Sequence, residues 1–138
     1  MNNFQQLSLP VALDDQATFD NFYAPNGTPQ HMATFLLKDD GRRFAYLSGG
    51  SGSGLSHLLQ ASCQTSALGH NLGAIYLPLK ELCDYPPEQV FEGLEVAPIV
   101  CIDDLQLVAH LEEWQVPLFN LFNRCRDSGC RLIISAHS

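Results

Sequence analysis

Positive charge is the scarcest thing in this chain: 7 lysines and arginines stand against 15 aspartates and glutamates, a formal net charge of -8. That balance leaves no cationic face for a nucleic-acid backbone or an anionic membrane surface, whose binding depends on neutralised phosphates and released counterions. Any link to DNA therefore has to run through a protein partner. Long apolar runs are also missing. None approaches the roughly 18 residues of a membrane span, and the start, Met1 to Gln5, has neither the basic nor the apolar region of a secretory signal. Five cysteines, at 63, 83, 101, 125 and 130, form no C-x-x-C pair, which argues against a zinc or disulfide framework. Reduced, mostly buried thiols in a cytoplasmic protein are the expectation. There is no internal repeat or low-complexity tract, and 138 residues, 46% hydrophobic, suffice for one core and one domain.

Glycine, by contrast, is concentrated. Gly49, Gly50, Gly52 and Gly54 fall within six residues, interleaved with Ser51 and Ser53, between an apolar strand (Arg43 to Ser48) and an apolar helix (Leu55 to about Leu68). Such a turn can take φ > 0 and direct several N–H groups at one point, where a phosphate can sit at the helix N-terminus. The spacing Gly49-x4-Gly54-x-Ser56 is that of a P-loop with one residue changed. Leu55 stands where a lysine should reach the β- and γ-phosphates.

Residues 1–16 read as an extended tail. Leu7 and Leu9 alternate with Gln6 and Ser8, which puts both leucines on one side, and Pro10 disfavours a helix at Leu9. A partner could take this segment as an extended peptide with paired pockets; equally, it could form an edge strand on its own domain. Residues 17–138 carry the domain. Phe19, Phe22 and Tyr23 form an aromatic knot, and Thr28 with Pro29 has the form of an N-cap and N1 pair opening a helix up to Lys38. After the P-loop helix, which buries Leu58, Leu59, Cys63 and Ala67, a strand over 72–78 is expected, then a short helix from Pro86 carrying Val90, Phe91 and Leu94.

The run Pro98 to Asp104 is continuously apolar until two carboxylates close it, as in a strand buried on both faces of a parallel sheet. Apolar strand plus paired acids is a Walker B pattern. Asp103 would enter the shell of a Mg²⁺ ion and Asp104 would orient water, whereas in a purely structural role the two acids would cap the following turn. A last helix, about Leu111 to Asp127, carries a core stripe of Trp114, Leu118, Leu121, Phe122 and Cys125, and Pro117 should kink it or mark its true start. A fourth strand, Arg131 to Ser135, follows. Strands alternating with helices predict an α/β three-layer parallel sheet of P-loop type. Its ligand crevice lies at the strand carboxyl ends, where the glycine turn, Asp103, Asp104 and Ser135 to His137 all fall.

These residues resemble a family. The glycine turn through Leu59, with Ile102 to Gln106, is similar to the AAA+ domain of the bacterial replication initiator DnaA, and Thr18 to Phe22 is similar to the segment preceding that domain. Gln6, Leu7, Ser8, Leu9 and Pro10 resemble a motif that binds the β sliding clamp. The combination points to the DnaA/Hda branch of the AAA+ family, whose regulatory members dock on the clamp and promote hydrolysis of DnaA-bound ATP.

The resemblance implies a nucleotide crevice in which Gly49 to Gly54 cradle phosphates beside Leu55. Ser56 and Asp103 would hold Mg²⁺, and Asp104 and His137, at the sensor 1 position, would face the nucleotide. It implies ADP, or ATP, as ligand, and DnaA, the clamp and, in a complete chain, further copies of itself as partners. Losing the P-loop lysine removes a cation from the most charged part of ATP, so no intrinsic ATPase is expected, and a diphosphate suits the site better. An autonomous ATPase related to helicase loaders and a scaffold that binds no nucleotide are the alternatives. AAA+ sheets have strand order 5-1-4-3-2. Only four strands are legible, so the domain is expected to be incomplete, its lid and arginine finger lying beyond residue 138 and its P-loop strand left as an apolar edge.

Overall fold

The computed structural model describes residues 37, 43–50, 54–68 and 73–137, with side chains only to residue 63 in the second segment. The tail, the aromatic knot, the Thr28–Pro29 helix start, and Ser51, Gly52 and Ser53 of the turn lie outside the described residues.

Four strands carry the fold: β1 (Phe44–Gly49), β2 (Ile75–Pro78), β3 (Ile99–Asp103) and β4 (Arg131–His137). They form one parallel sheet in the order β1-β4-β3-β2, the order expected of an AAA+ sheet without its fifth strand. Parallel neighbours need crossovers, which the helices supply. α1 (Leu55–Leu68) leads from β1, α2 (Leu79–Leu82) and α3 (Pro87–Phe91) lead from β2, and α4 (Glu112–Ser128) leads into β4.

The central strands are buried on both faces, so their residues sort alternately into two cores. Ile99, Cys101 and Ile133 pack with Leu37, Leu58, Leu59, Cys63 and Tyr76 under α1. Val100, Ile102, Leu132 and Ile134 pack with Val90, Phe91, Trp114, Leu121 and Cys125 under α3 and α4. Burying Leu58 and Leu59 alone stabilises the α1 layer by about 3–6 kcal/mol before ordering costs. Trp114 meets Phe91 edge to face at 5.5 Å, fixing α4 against α3. The guanidinium of Arg131, buried at the start of β4, donates to the Leu37 carbonyl at 2.8 Å.

Two details differ from the sequence expectation, and a third, Pro117, is resolved between the two alternatives left open for it. Leu94 is not helical: Gly93 turns left-handed (φ 72°) and Leu94–Val96 form a separate 3-10 turn, though Leu94 still reaches the core. α2 is an additional turn of helix that the sequence pattern did not announce. Pro117 sits inside α4, which begins at Glu112. The carbonyl it leaves without a helical partner belongs to Glu113, an exposed residue where water can take it, and Glu112 and Glu113 suit the positive end of the helix dipole. α4 ends at Gly129 (φ 81°), after which the Cys130 N–H bonds back to the Cys125 carbonyl at 3.0 Å.

All five cysteines are free thiols, and Cys63, Cys101, Cys125 and Cys130 are buried. β1 stands at the end of the sheet among the described residues, with Phe44 43% and Tyr46 53% exposed, although Phe44 also packs edge to face on Phe122. No helix among the described residues is long and apolar enough to cross a membrane.

Candidate functional site

In a parallel sheet all strand carboxyl ends lie along one edge, so the register alone assembles the crevice. Gly49 pairs with His137, which sets the start of the glycine turn beside the end of β4. Pro78 pairs with Asp103. Gly54, with φ 86°, supplies the left-handed residue that lets the chain enter α1, and the first turn of α1 carries Leu55 and Ser56.

Asp103 follows Ile99 and Cys101 on the face of β3 that α1 covers, and its side chain points to the P-loop side. It is 1% exposed. One carboxylate oxygen accepts the Tyr76 hydroxyl at 2.7 Å and the other accepts the Ser135 hydroxyl in a very short bond. Ser135 accepts the Asp104 N–H at 3.3 Å. A continuous chain of hydrogen bonds therefore runs from Tyr76 through Asp103 to Ser135 and the Asp104 backbone. Burial first, and then the hydrogen bond and charge of Asp103, push the Tyr76 phenol far above its ordinary pKa, which keeps its proton in place as a donor.

Asp104 is left-handed (φ 65°, ψ 43°), the only non-glycine residue among those described with a positive φ. It precedes the 3-10 turn Leu105–Leu107, yet its side chain makes no capping bond there. Instead its Oδ1 contacts His137 Nδ1 at 2.7 Å and accepts Gln106 Nε2 at 3.2 Å. Gln106 Oε1 accepts the His137 backbone N–H at 2.8 Å and closes the ring. The structure thus brings together Gly49, Ser56, Asp103, Asp104 and His137. It adds Tyr76 and Gln106, to which the motif pattern gave no role, and bonds Ser135, expected at the crevice, directly to Asp103.

Asp103, Asp104 and His137 each bring a potential ligand atom within 4.8 Å of the others. These atoms are already committed, however: Asp104 and His137 to one another, Asp103 to two hydroxyls. At the carboxylate that a P-loop protein turns toward Mg²⁺, the Tyr76 hydroxyl already donates to one oxygen. A hard cation needs open oxygen ligands and ordered waters, and a buried carboxylate whose two oxygens each accept a hydroxyl does not offer them. As placed, these residues do not fit a Mg²⁺ ion. Leu55 is buried (6% exposed) and brings no charge to the crevice. A groove of about 680 Å³ between α3 and α4, lined by Glu88, Glu92, Glu112 and Glu113, shares no residue with this crevice and is too acidic for a phosphate.

No protein-family model matches the chain. Among solved structures it is similar to DnaA from Aquifex aeolicus bound to AMPPCP, with 20% identity over 93% of this chain and 43% of that one, at a TM-score of 0.71. It is also similar to domain III of the Thermotoga maritima replication initiation protein DnaA, with 26% identity over 91% of this chain and 58% of that one, TM-score 0.70. The DnaC helicase loader matches at 17% identity over 90% of this chain and 78% of that one, TM-score 0.63. The fold is that of a DnaA-like AAA+ domain, of which this chain spans a part: it covers less than half the length of the Aquifex protein.

Proposed function

We propose that this chain is the nucleotide-binding part of a regulator of bacterial replication initiation, of the Hda kind. In this reading Gln6, Leu7, Ser8, Leu9 and Pro10 dock on the β sliding clamp, and the AAA+ domain promotes inactivation of ATP-bound DnaA. Its own crevice takes ADP and does not turn over ATP. The observation that carries the reading is the crevice: Gly49 at the start of the glycine turn, a helix N-terminus, Asp104 and His137 meet at one sheet edge while the P-loop lysine position is a buried leucine. Backbone N–H groups can hold a diphosphate without a cation more readily than a triphosphate, which carries more charge. The net charge of -8 agrees with a protein that reaches DNA through a partner rather than directly.

Calorimetric titration of ADP and ATP against the chain, with phosphate release followed in parallel, tests this. ADP should bind and phosphate release should stay at background. Steady phosphate release abolished by Asp103→Asn would instead support an autonomous ATPase related to helicase loaders. Absence of heat with either nucleotide, together with no binding to the clamp, would support a scaffold.

A further inference from the structure

We propose that the hydroxyls of Tyr76 and Ser135 stand in for the divalent cation's shell at Asp103, so that this crevice takes the phosphates of a nucleoside diphosphate without a metal ion. The proposal rests on the nucleotide-binding reading of the crevice. Its own ground is the geometry around Asp103.

A Walker B carboxylate facing a phosphate is a like-charge contact, which a divalent cation ordinarily relieves by bridging the two. Here the carboxylate is turned into the protein. It is 1% exposed, and each oxygen receives a hydroxyl hydrogen, from Tyr76 at 2.7 Å and from Ser135. Such hydrogen bonds to an ionised acceptor are about twice as strong as neutral ones, so they can hold the charge in place with no ion present. The aspartate of a P-loop metal site is thus occupied by two hydroxyls of the protein itself. The same crevice lacks the P-loop lysine, Leu55 being buried in its place. With both cations gone, what faces a phosphate is the backbone N–H array at the α1 N-terminus, and the ligand it suits is the less charged diphosphate.

The position of Tyr76 follows from register. It lies opposite Cys101, two residues before Asp103 on the same face of β3, and a tyrosine is long enough to span that offset. Phenylalanine would fill the same space and remove only the oxygen, which isolates the chemistry from the packing.

The test titrates ADP against the chain in Mg²⁺ and in EDTA, for the natural sequence and for Tyr76→Phe, with Ser135→Ala as a companion. The natural sequence should bind ADP with an affinity that agrees within about twofold in the two buffers. Tyr76→Phe, which bares one carboxylate oxygen, should bind about tenfold more weakly in EDTA than in Mg²⁺. A drop of about tenfold or more in EDTA for the natural sequence would overturn the proposal. A second arm needs no nucleotide: Mn²⁺ alone is added and its free fraction followed by electron paramagnetic resonance. The natural sequence should leave micromolar Mn²⁺ free, and Tyr76→Phe should retain it. Retention by the natural sequence would overturn the proposal. If ADP binds in neither buffer, the nucleotide reading fails while the Mn²⁺ arm still decides the role of Tyr76.

Discussion

His137 Nδ1 lies 2.7 Å from Oδ1 of Asp104, tying the end of β4 to a residue held at φ 65°. The left-handed backbone costs about 1–2 kcal/mol for most side chains, less for Asp and Asn, and here it aims the carboxylate at the histidine and Gln106.

That contact separates two substitutions. Asp104→Asn keeps an acceptor for His137 and tolerates the left-handed backbone, so it should cost less than about 1 kcal/mol. Asp104→Ala loses both side-chain contacts and places a poor residue at that φ, and should cost about 2–3 kcal/mol. Urea unfolding with an unchanged slope measures the difference. Equal midpoints for the two variants would show that neither the contact nor the backbone matters.

Tyr76 makes stability fall at alkaline pH. Folding holds its proton beyond the pH near 10 at which an unfolded tyrosine gives it up, so its contribution is whole below about pH 10 and is lost as pH rises toward the raised folded value. Burial raises the Cys101 thiol in the same sense. An ultraviolet titration of tyrosinate should show one phenol that ionises only as the chain unfolds. In Tyr76→Phe that unfolding-linked step should vanish, and its persistence would assign it to another tyrosine.

The proposed clamp docking is a separate matter, resting on residues outside those described. Two leucines entering an apolar cleft are worth roughly 3–6 kcal/mol before ordering costs, so a single tail should bind weakly and gain from a dimeric clamp by avidity. The Leu7→Ala, Leu9→Ala double variant should lose measurable clamp binding in a surface-capture titration. An unchanged affinity would remove the tail from the proposed function.

The parts of this site readable from sequence are those whose demands are local. Four glycines in six residues declare a backbone need, and an apolar run closed by Asp103 and Asp104 declares a buried strand end. The sheet order came from the resemblance to AAA+ domains, and the observed order agrees with it. Ser135 was expected at the crevice from the strand ends alone, but the roles of Tyr76 and Gln106 were not legible, because what recruits them is strand register and a left-handed turn at Asp104, neither of which leaves a periodic trace. Leu94 was misplaced for a similar reason: its apolar spacing fits a helix, and the left-handed Gly93 overrides the spacing.

Leu55 offers the sharpest test of why the crevice should prefer a diphosphate. It opens α1 directly after the left-handed Gly54 and is 6% exposed, so a lysine there must either bury its stem and send the ammonium into the crevice or unsettle the helix start. Leu55→Lys should cost up to about 1.5–3 kcal/mol of apolar burial, partly offset by the packed stem, and thermal unfolding will register it. In return one cation stands beside the phosphates farthest from the nucleoside, where ATP exceeds ADP in charge. ATP affinity should therefore rise about tenfold more than ADP affinity. Phosphate release should still stay at background, because the Asp104 carboxylate is held by His137 and Gln106 rather than free to orient water. An equal gain for both nucleotides would mean that position 55 does not face the outer phosphates, and the missing lysine would no longer explain the preference.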